Sequence, residues 1–445
     1  MKYFKITSLI LLSVVFFIGG CKKEFRNPNN PVASDILETR EGLITLSIGM
    51  KQNYATSAIE GLYINSGVTS RELRGTSTLQ NVLDLEAGAD VLPSNNGNIA
   101  QVWNRMFRVM GMADNLIANA PKIYAQEPQL LSGVLAHAHI FKALTLGGLA
   151  VTFEKFPQQT NLDGNAVFVT REVALQTALD LLNQAKVLIT ANAPSAEFNS
   201  RVIGADFSMI NIINALTARY SLWLKKYSDA YAAANLVNLA VKSQFIYSTQ
   251  GQNPIFTGSV IATSYRPREF FGLTGTLLDP TDARFAFYTA APNATVGGQN
   301  VKTLAGFFNT ATTPIPVYLP DEMRLIKAEA VLLSSTAIAG TTNPGSVITE
   351  INLVRQQVIG VSGDIFGVNA TLPPYSGATD VASLTAEIYK QRCMELFLTG
   401  NRLEDSRRLG RPASPTNLVE RNRNFYPYPD QERQNNPNTP VDPVF

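Results

Sequence analysis

The chain has 445 residues, 45% of them apolar and 16% charged, a composition that supports a buried core and excludes an intrinsically disordered protein. With 37 Lys and Arg against 35 Asp and Glu, no charge excess points to nucleic acid or another polyanionic partner. The only cysteines are Cys21 and Cys393, so there is no disulfide framework, and a body long enough for one large domain or two to three small ones must be held by packing.

Lys2 and Lys5 give a positive start, Ile6 to Ile18 is an uncharged apolar segment, and Gly19-Gly20 follow. This is the order of a secretory signal, and the apolar segment is shorter than the about 20 residues that span a bilayer. Ile18-Gly19-Gly20-Cys21 resembles the lipobox of bacterial lipoproteins, which implies a signal peptide over 1–20 and a lipidated Cys21 as the first mature residue. Removing 1–20 takes away two lysines and no acid, leaving a formally neutral chain. Residues 22–36, KKEFRNPNNPVASDI, read as a polar tether.

Helical periodicity then dominates. From Asn98 to Ala120, Val102, Met106 and Val109 alternate with Trp103, Phe107 and Met110 at three-and-four spacing, the pattern of a helix burying a broad stripe. Residues 129–151 are apolar nearly all round, which predicts burial on more than one side. Thr170 is a candidate N-cap with Glu172 in the first turn, and Ala174, Ala178, Leu181, Ala185 and Leu188 share one face up to Ala193-Pro194. Over 214–241 a helix to Leu224, a turn at Lys225-Lys226-Tyr227 and a second helix with Ala230, Ala234 and Val237 on its inner face form a tetratricopeptide-type hairpin. One such hairpin cannot hide its apolar faces, so neighbours are required. About four pairs are expected: 38–66 with 99–120, 129–151 with 170–191, the hairpin within 206–247, and 320–335 with 347–358. The fold class is therefore mainly α, with a loop-rich, irregular second half. Long connections at 67–98, 249–280, 291–319, 361–382 and 411–445 are where binding surfaces are expected.

Several blocks in order resemble the SusD/RagB family of Bacteroidetes outer-membrane lipoproteins. They are ILETREGLITLSIGMKQNYA (36–55) with VWNRMFRVMGMADNLIANAP (102–121), PVYLPDEMRLIKAEAVLL (316–333), INLVRQQ (351–357), EIYKQRCMELFLTGNRLEDSRRLG (387–410) and NFYPYPDQERQNNPN (424–438). The chain departs from the family pattern at His137, His139 and Lys142, and at Thr399 and Ser406. The resemblance implies a SusD-like α/α fold with a single body over 37–445, an N-terminal region to about 245 and a C-terminal region from about 246. It also implies a surface-exposed, lipid-anchored outer-membrane protein that captures oligosaccharides or other oligomeric nutrients, glycan or peptide, and caps a SusC-like TonB-dependent transporter. No cofactor and no catalytic residue is expected.

The residues supply little enzyme chemistry. No phosphate-binding Gly-rich loop, His-Glu-x-x-His or Gly-x-Ser-x-Gly occurs, and Gly360-Val361-Ser362-Gly363 lacks the elbow spacing. His137 and His139, two apart on a helix, point to different sides and predict no metal pair. Cys393 reads as a buried thiol, and Arg392, Glu395, Arg402, Asp405 and Arg408 as an ion-pair network holding the last helix. A glycosidase carboxylate pair leaves no spacing signature, so a glycan hydrolase stays open beside a non-catalytic helical-repeat scaffold. Sugar capture needs flat apolar rings beside hydroxyl-binding polar groups. Trp103 and Trp223 fall in hairpin helices and are assigned to the core. The expected ligand-binding residues are Tyr63 and Asn65 with Arg71 and Arg74 in the first long loop, and the cluster of Tyr265, Arg266, Arg268, Phe270 and Phe271 in a later one.

Overall fold

The computed structural model describes residues 36–160, 163–412 and 420–445. The signal segment, Cys21 and nearly all of the tether lie outside the described residues. Helix α1 (Arg40–Asn53) runs through a π turn at Tyr54–Ala58 into α2 (Ile59–Thr69). After α3 (Gln80–Ala87) come the long helices α4 (Gly97–Ile123) and α5 (Pro128–Thr152), then α6 (Arg171–Ala191), α7 (Met209–Trp223) and α8 (Tyr227–Asn235). The second half contributes α9 (Pro320–Leu333), α10 (Gly345–Arg355), α11 (Val381–Glu395) and α12 (Asn401–Arg408).

The four expected pairs form: α1 packs on α4, α5 on α6, α7 on α8 and α9 on α10. Contacts of α4 with α5, α6 with α7 and α8 with α9 join them into one stack. Thr170 caps α6 as its type predicts, accepting from the Val173 amide. Trp103 sits in the core against Phe107 and Phe153, at ring-centroid distances of 4.7 and 4.8 Å, and Trp223 is buried beside Tyr220. Helix α8 stops two residues short of Val237 because amides from α7 capture its backbone: Asn214 Nδ2 donates to the Leu236 carbonyl, and Asn211 Oδ1 accepts from the Asn238 amide.

Helix α5 has the length and hydropathy of a membrane span, yet 89% of its most apolar window is buried among the other helices. Glycine permits that. A Cβ on Gly147 would sit 2.2 Å from Tyr220 Oη, so α5 and α7 approach only because position 147 has no side chain. We expect Gly147→Ala to lower stability by about 1–3 kcal/mol in urea denaturation, reversing the usual helix gain from Gly to Ala.

The connections expected to be irregular hold short strands. Antiparallel β1 (Leu73–Gly75) and β2 (Tyr265–Pro267) pair across the two halves of the chain, and β3 (Thr289–Val296) turns into β4 (Gln299–Leu304) through Gly297-Gly298, both at positive φ. That pair was a readable hairpin signal.

The predicted charged network exists and is buried. Arg392 Nε donates to Asp405 Oδ2 at 2.8 Å, and Arg408 bonds both Asp405 Oδ1 and Glu329 of α9. Glu395 pairs with Arg284 at 3.2 Å, and Arg402 donates to the Phe271 carbonyl. Cys393 is a buried free thiol. His137 shares a 2.9 Å hydrogen bond with Ser47, and burial holds His139 down at about 4, so both act as neutral core groups.

Candidate functional site

Local backbone requirements bring the two loop clusters together. The β1–β2 ladder sets Leu73 opposite Pro267, Arg74 opposite Arg266 and Gly75 opposite Tyr265. Arg71, Phe270 and Phe271 take left-handed φ values of 66°, 51° and 54°, each costing roughly 1–2 kcal/mol for a residue with a Cβ. Packing enforces the conformation: the Phe271 ring stacks on Phe397 at 3.9 Å, and its carbonyl accepts from the buried Arg402. Gly272, at φ 70°, completes the turn where a Cβ would lie 2.3 Å from the Arg71 carbonyl oxygen.

This turn, the end of α3 and the tip of the β3–β4 hairpin enclose an open cleft of about 570 Å³. It is lined by Arg71, Arg74, Arg268, Glu86, Glu269, Gln299 and Asn300, with Gly272 and Thr274. Three guanidinium groups converge on one carboxylate. Glu86 Oε1 accepts from Arg71 and Arg74, each at 3.4 Å, and from Arg268, while its Oε2 accepts from the Gly75 amide at 2.9 Å. Gln299 Oε1 joins Arg74, at 2.9 Å, to Arg268. Glu269 is engaged by Asn300 and by Lys302, so that acid and base cancel.

The cleft therefore carries an excess of about two positive charges. Burial, together with the neighbouring Arg268 and Arg74 and against the pull of Glu86, holds Arg71 down at about 10. Burial likewise lowers Arg268. Arg74 Nε and Arg266 Nη1 are buried without a hydrogen-bond acceptor among the described residues. Such an arrangement can hold a carboxylate or sulfate and many hydroxyl groups. Both of its carboxylates are bound by donors.

Of the expected binding residues, Arg71 and Arg74 line the cleft, with Arg268 of the second cluster. Arg266 lies opposite Arg74 on the ladder and is part-buried. Tyr63, Asn65, Tyr265 and Phe271 are instead turned into the body, at 7%, 3%, 8% and 0% exposure. Asn65 Nδ2 donates to the Asn98 carbonyl, the Tyr265 hydroxyl accepts from Asn98 Nδ2, and Phe270 packs edge-on against Phe285. Among the described residues the lining contains no aromatic ring, so what the cleft offers a ligand is polar contact and not stacking. Glu86, Gln299 and Asn300 escaped the sequence reading because they join the site only through tertiary pairing. A second cleft of about 450 Å³, between residues 157–159 and 165–169, carries no charged side chain.

Behind the ladder, Glu72 is buried; its carboxylate accepts from the Leu398 amide at 2.9 Å and from Ser70 Oγ at 3.2 Å. Burial pushes it up to about 7. Its folded value exceeds its unfolded value, so this group removes stability as pH rises from about 4.5 to 7. We expect Glu72→Gln to be more stable than the parent at pH 8, by about 1–2 kcal/mol once weakened hydrogen bonds are counted. The advantage should vanish in urea melts at pH 4.

No family model and no curated protein sequence matches the chain. Solved structures do. A SusD superfamily protein from Bacteroides thetaiotaomicron VPI-5482 superposes with a TM-score of 0.67 at 15% identity, covering 91% of this chain and 100% of that one. A SusD-like carbohydrate binding protein from Bacteroides fragilis NCTC 9343 gives 0.66 at 14% identity, with the same coverage. The structure described as B. fragilis NanU gives 0.66 at 13% identity over 94% of this chain and 99% of that one. At these identities the likeness is one of architecture, and over about nine tenths of its length this chain has the fold of the SusD superfamily.

Proposed function

We propose that the protein is a SusD-type capture lipoprotein that binds acidic oligosaccharides in the guanidinium-lined cleft and passes them, unaltered, to a SusC-like TonB-dependent transporter in the outer membrane. The observation that carries the ligand class is the convergence of Arg71, Arg74 and Arg268 on the single carboxylate of Glu86 in an open cleft. An anionic sugar supplies the missing negative charge, and its hydroxyls meet Gln299, Asn300 and Glu269. The fold supports the capture role, since one of the similar structures is described as a SusD-like carbohydrate binding protein. The lipobox-like Ile18-Gly19-Gly20-Cys21 supports the anchor. Membrane-released protein from cells making Cys21→Ala should be soluble and free of fatty acid by mass spectrometry, whereas the parent should carry lipid on Cys21.

The function itself is tested by incubating the protein for a day with a uronic-acid oligosaccharide and with a neutral glucan. Titration calorimetry should show saturable binding of the uronate, and chromatography should recover it at its original length. Shortened products would make the protein a hydrolase. Absence of binding to either sugar would favour a scaffold role.

A further inference from the structure

Three acids far apart in sequence meet: Asp321 in the first turn of α9, Glu395 at the end of α11 and Asp364 in the connection 358–372. One oxygen of each lies within 4.8 Å of one oxygen of the other two. Asp321 and Glu395 are 0% and 1% exposed, and Asp364 is part-buried. Each carboxylate spends one oxygen on donors. Asp321 Oδ1 accepts from Arg324 Nε at 2.9 Å and from Gln357 Nε2 at 3.0 Å, Asp364 Oδ1 from the Phe366 amide at 2.6 Å, and Glu395 Oε2 from Arg284 at 3.2 Å.

The other oxygens, Asp321 Oδ2, Asp364 Oδ2 and Glu395 Oε1, are all buried with no hydrogen-bond partner among the described residues. Gln357 Oε1, attached to the amide that reaches Asp321, is buried and unpartnered too. Neighbouring cations balance this cluster only in part. Arg284 reaches Glu395 but is held chiefly by a bidentate bond to Asp282, the Arg324 side chain on Asp321 is 23% exposed, and Lys242, which faces Asp364, is a surface residue. Carboxylates so little compensated in a buried place are costly: desolvation raises all three out of the usual carboxylate range, repulsion from Asp364 adds to it for Asp321 and repulsion from both aspartates adds to it for Glu395, while the 366–368 amides and Lys242 hold Asp364 back.

We propose that Asp321, Asp364 and Glu395, with Gln357 Oε1 beside them, form a site for a calcium ion that pins the 358–372 connection to helices α9 and α11. The donors are all oxygens, which selects a hard cation over zinc or copper. Calcium takes ligands at about 2.3–2.6 Å, so opposite ligands span up to about 5 Å, whereas magnesium at about 2.1 Å would require the acids to draw closer together. Part-exposed Asp364 provides the entry side, and waters would complete the shell.

The test uses the mature chain, stripped with chelator and dialysed at pH 7.5, with calcium chloride as the probe. Elemental analysis should find one calcium per chain, and the thermal midpoint should rise by about 3 °C at calcium a hundredfold above its dissociation constant, with a smaller rise for magnesium. Asp364→Asn should lose both the stoichiometric ion and the shift, while without calcium it should be at least as stable as the parent, one of three repelling charges having gone. No retained calcium and no shift would overturn the proposal, leaving the acids as protonated core groups. Binding undiminished in Asp364→Asn would overturn it as well, and an equal magnesium shift would overturn the choice of calcium. The titration of the parent decides by itself should the variant fail to fold.

Discussion

Asp405→Ala is expected to lower the unfolding free energy by about 3–5 kcal/mol, the cost typical of breaking a buried ion pair from one side. The reason is local. Arg392 is 1% exposed, and among the described residues its Nη1 and Nη2 have no acceptor and its side chain's one hydrogen bond runs from Nε to Asp405. Removing the carboxylate strands that guanidinium in the core and also takes two bonds from Arg408, which keeps only Glu329. The complementary variant sharpens the claim. Arg392→Met leaves Asp405 its bonds to Arg408 and fills the space with an apolar chain, so it should cost clearly less in the same urea titration. Equal losses for the two would mean that packing, not charge, dominates at this junction.

Arg74→Gln is expected to weaken binding of a uronic-acid oligosaccharide about 10- to 100-fold, the range of one charge-assisted hydrogen bond, while leaving the fold intact. Arg74 is the suitable position because its side chain is 17% exposed and its bonds go to Glu86 and Gln299 at the cleft wall. Arg268 additionally holds the Leu73 carbonyl, so its removal would confuse binding with stability. Affinity of the parent should fall as sodium chloride rises, because the cleft's excess charge is screened. The variant's affinity should depend on salt less steeply. Calorimetry at 50 and 300 mM salt checks both statements.

Much of the scaffold was legible because helices announce themselves over long windows. The stripe through Val102, Met106 and Val109, the Thr170 cap and the small residues Ala230 and Ala234 each repeat a local rule many times over. The charged block from Arg392 to Arg408 was readable as structure because its members lie close together in sequence, although Arg284 and Glu329, which complete it, come from elsewhere in the chain. The site was only half legible. Arg71, Arg74 and Arg268 stood out as cations in loops, but the aromatic residues read with them are buried: Tyr63, Tyr265 and Phe271 belong to the core. A three-residue strand pairing across almost two hundred positions has no periodicity to detect, and it alone decides that Arg74 meets Arg266. The acids Asp321, Asp364 and Glu395 show the same limit, because no spacing motif links residues that only tertiary packing brings together.

The measurement that bears most directly on the central claim is the position of a bound uronic-acid oligosaccharide in crystals of the mature protein. Our reading places its carboxylate against the guanidinium groups of Arg74 and Arg268, with sugar hydroxyls on Gln299 and Asn300 and the chain uncut. Density for an intact sugar at another surface, with the arginine cleft still open to solvent, would contradict it.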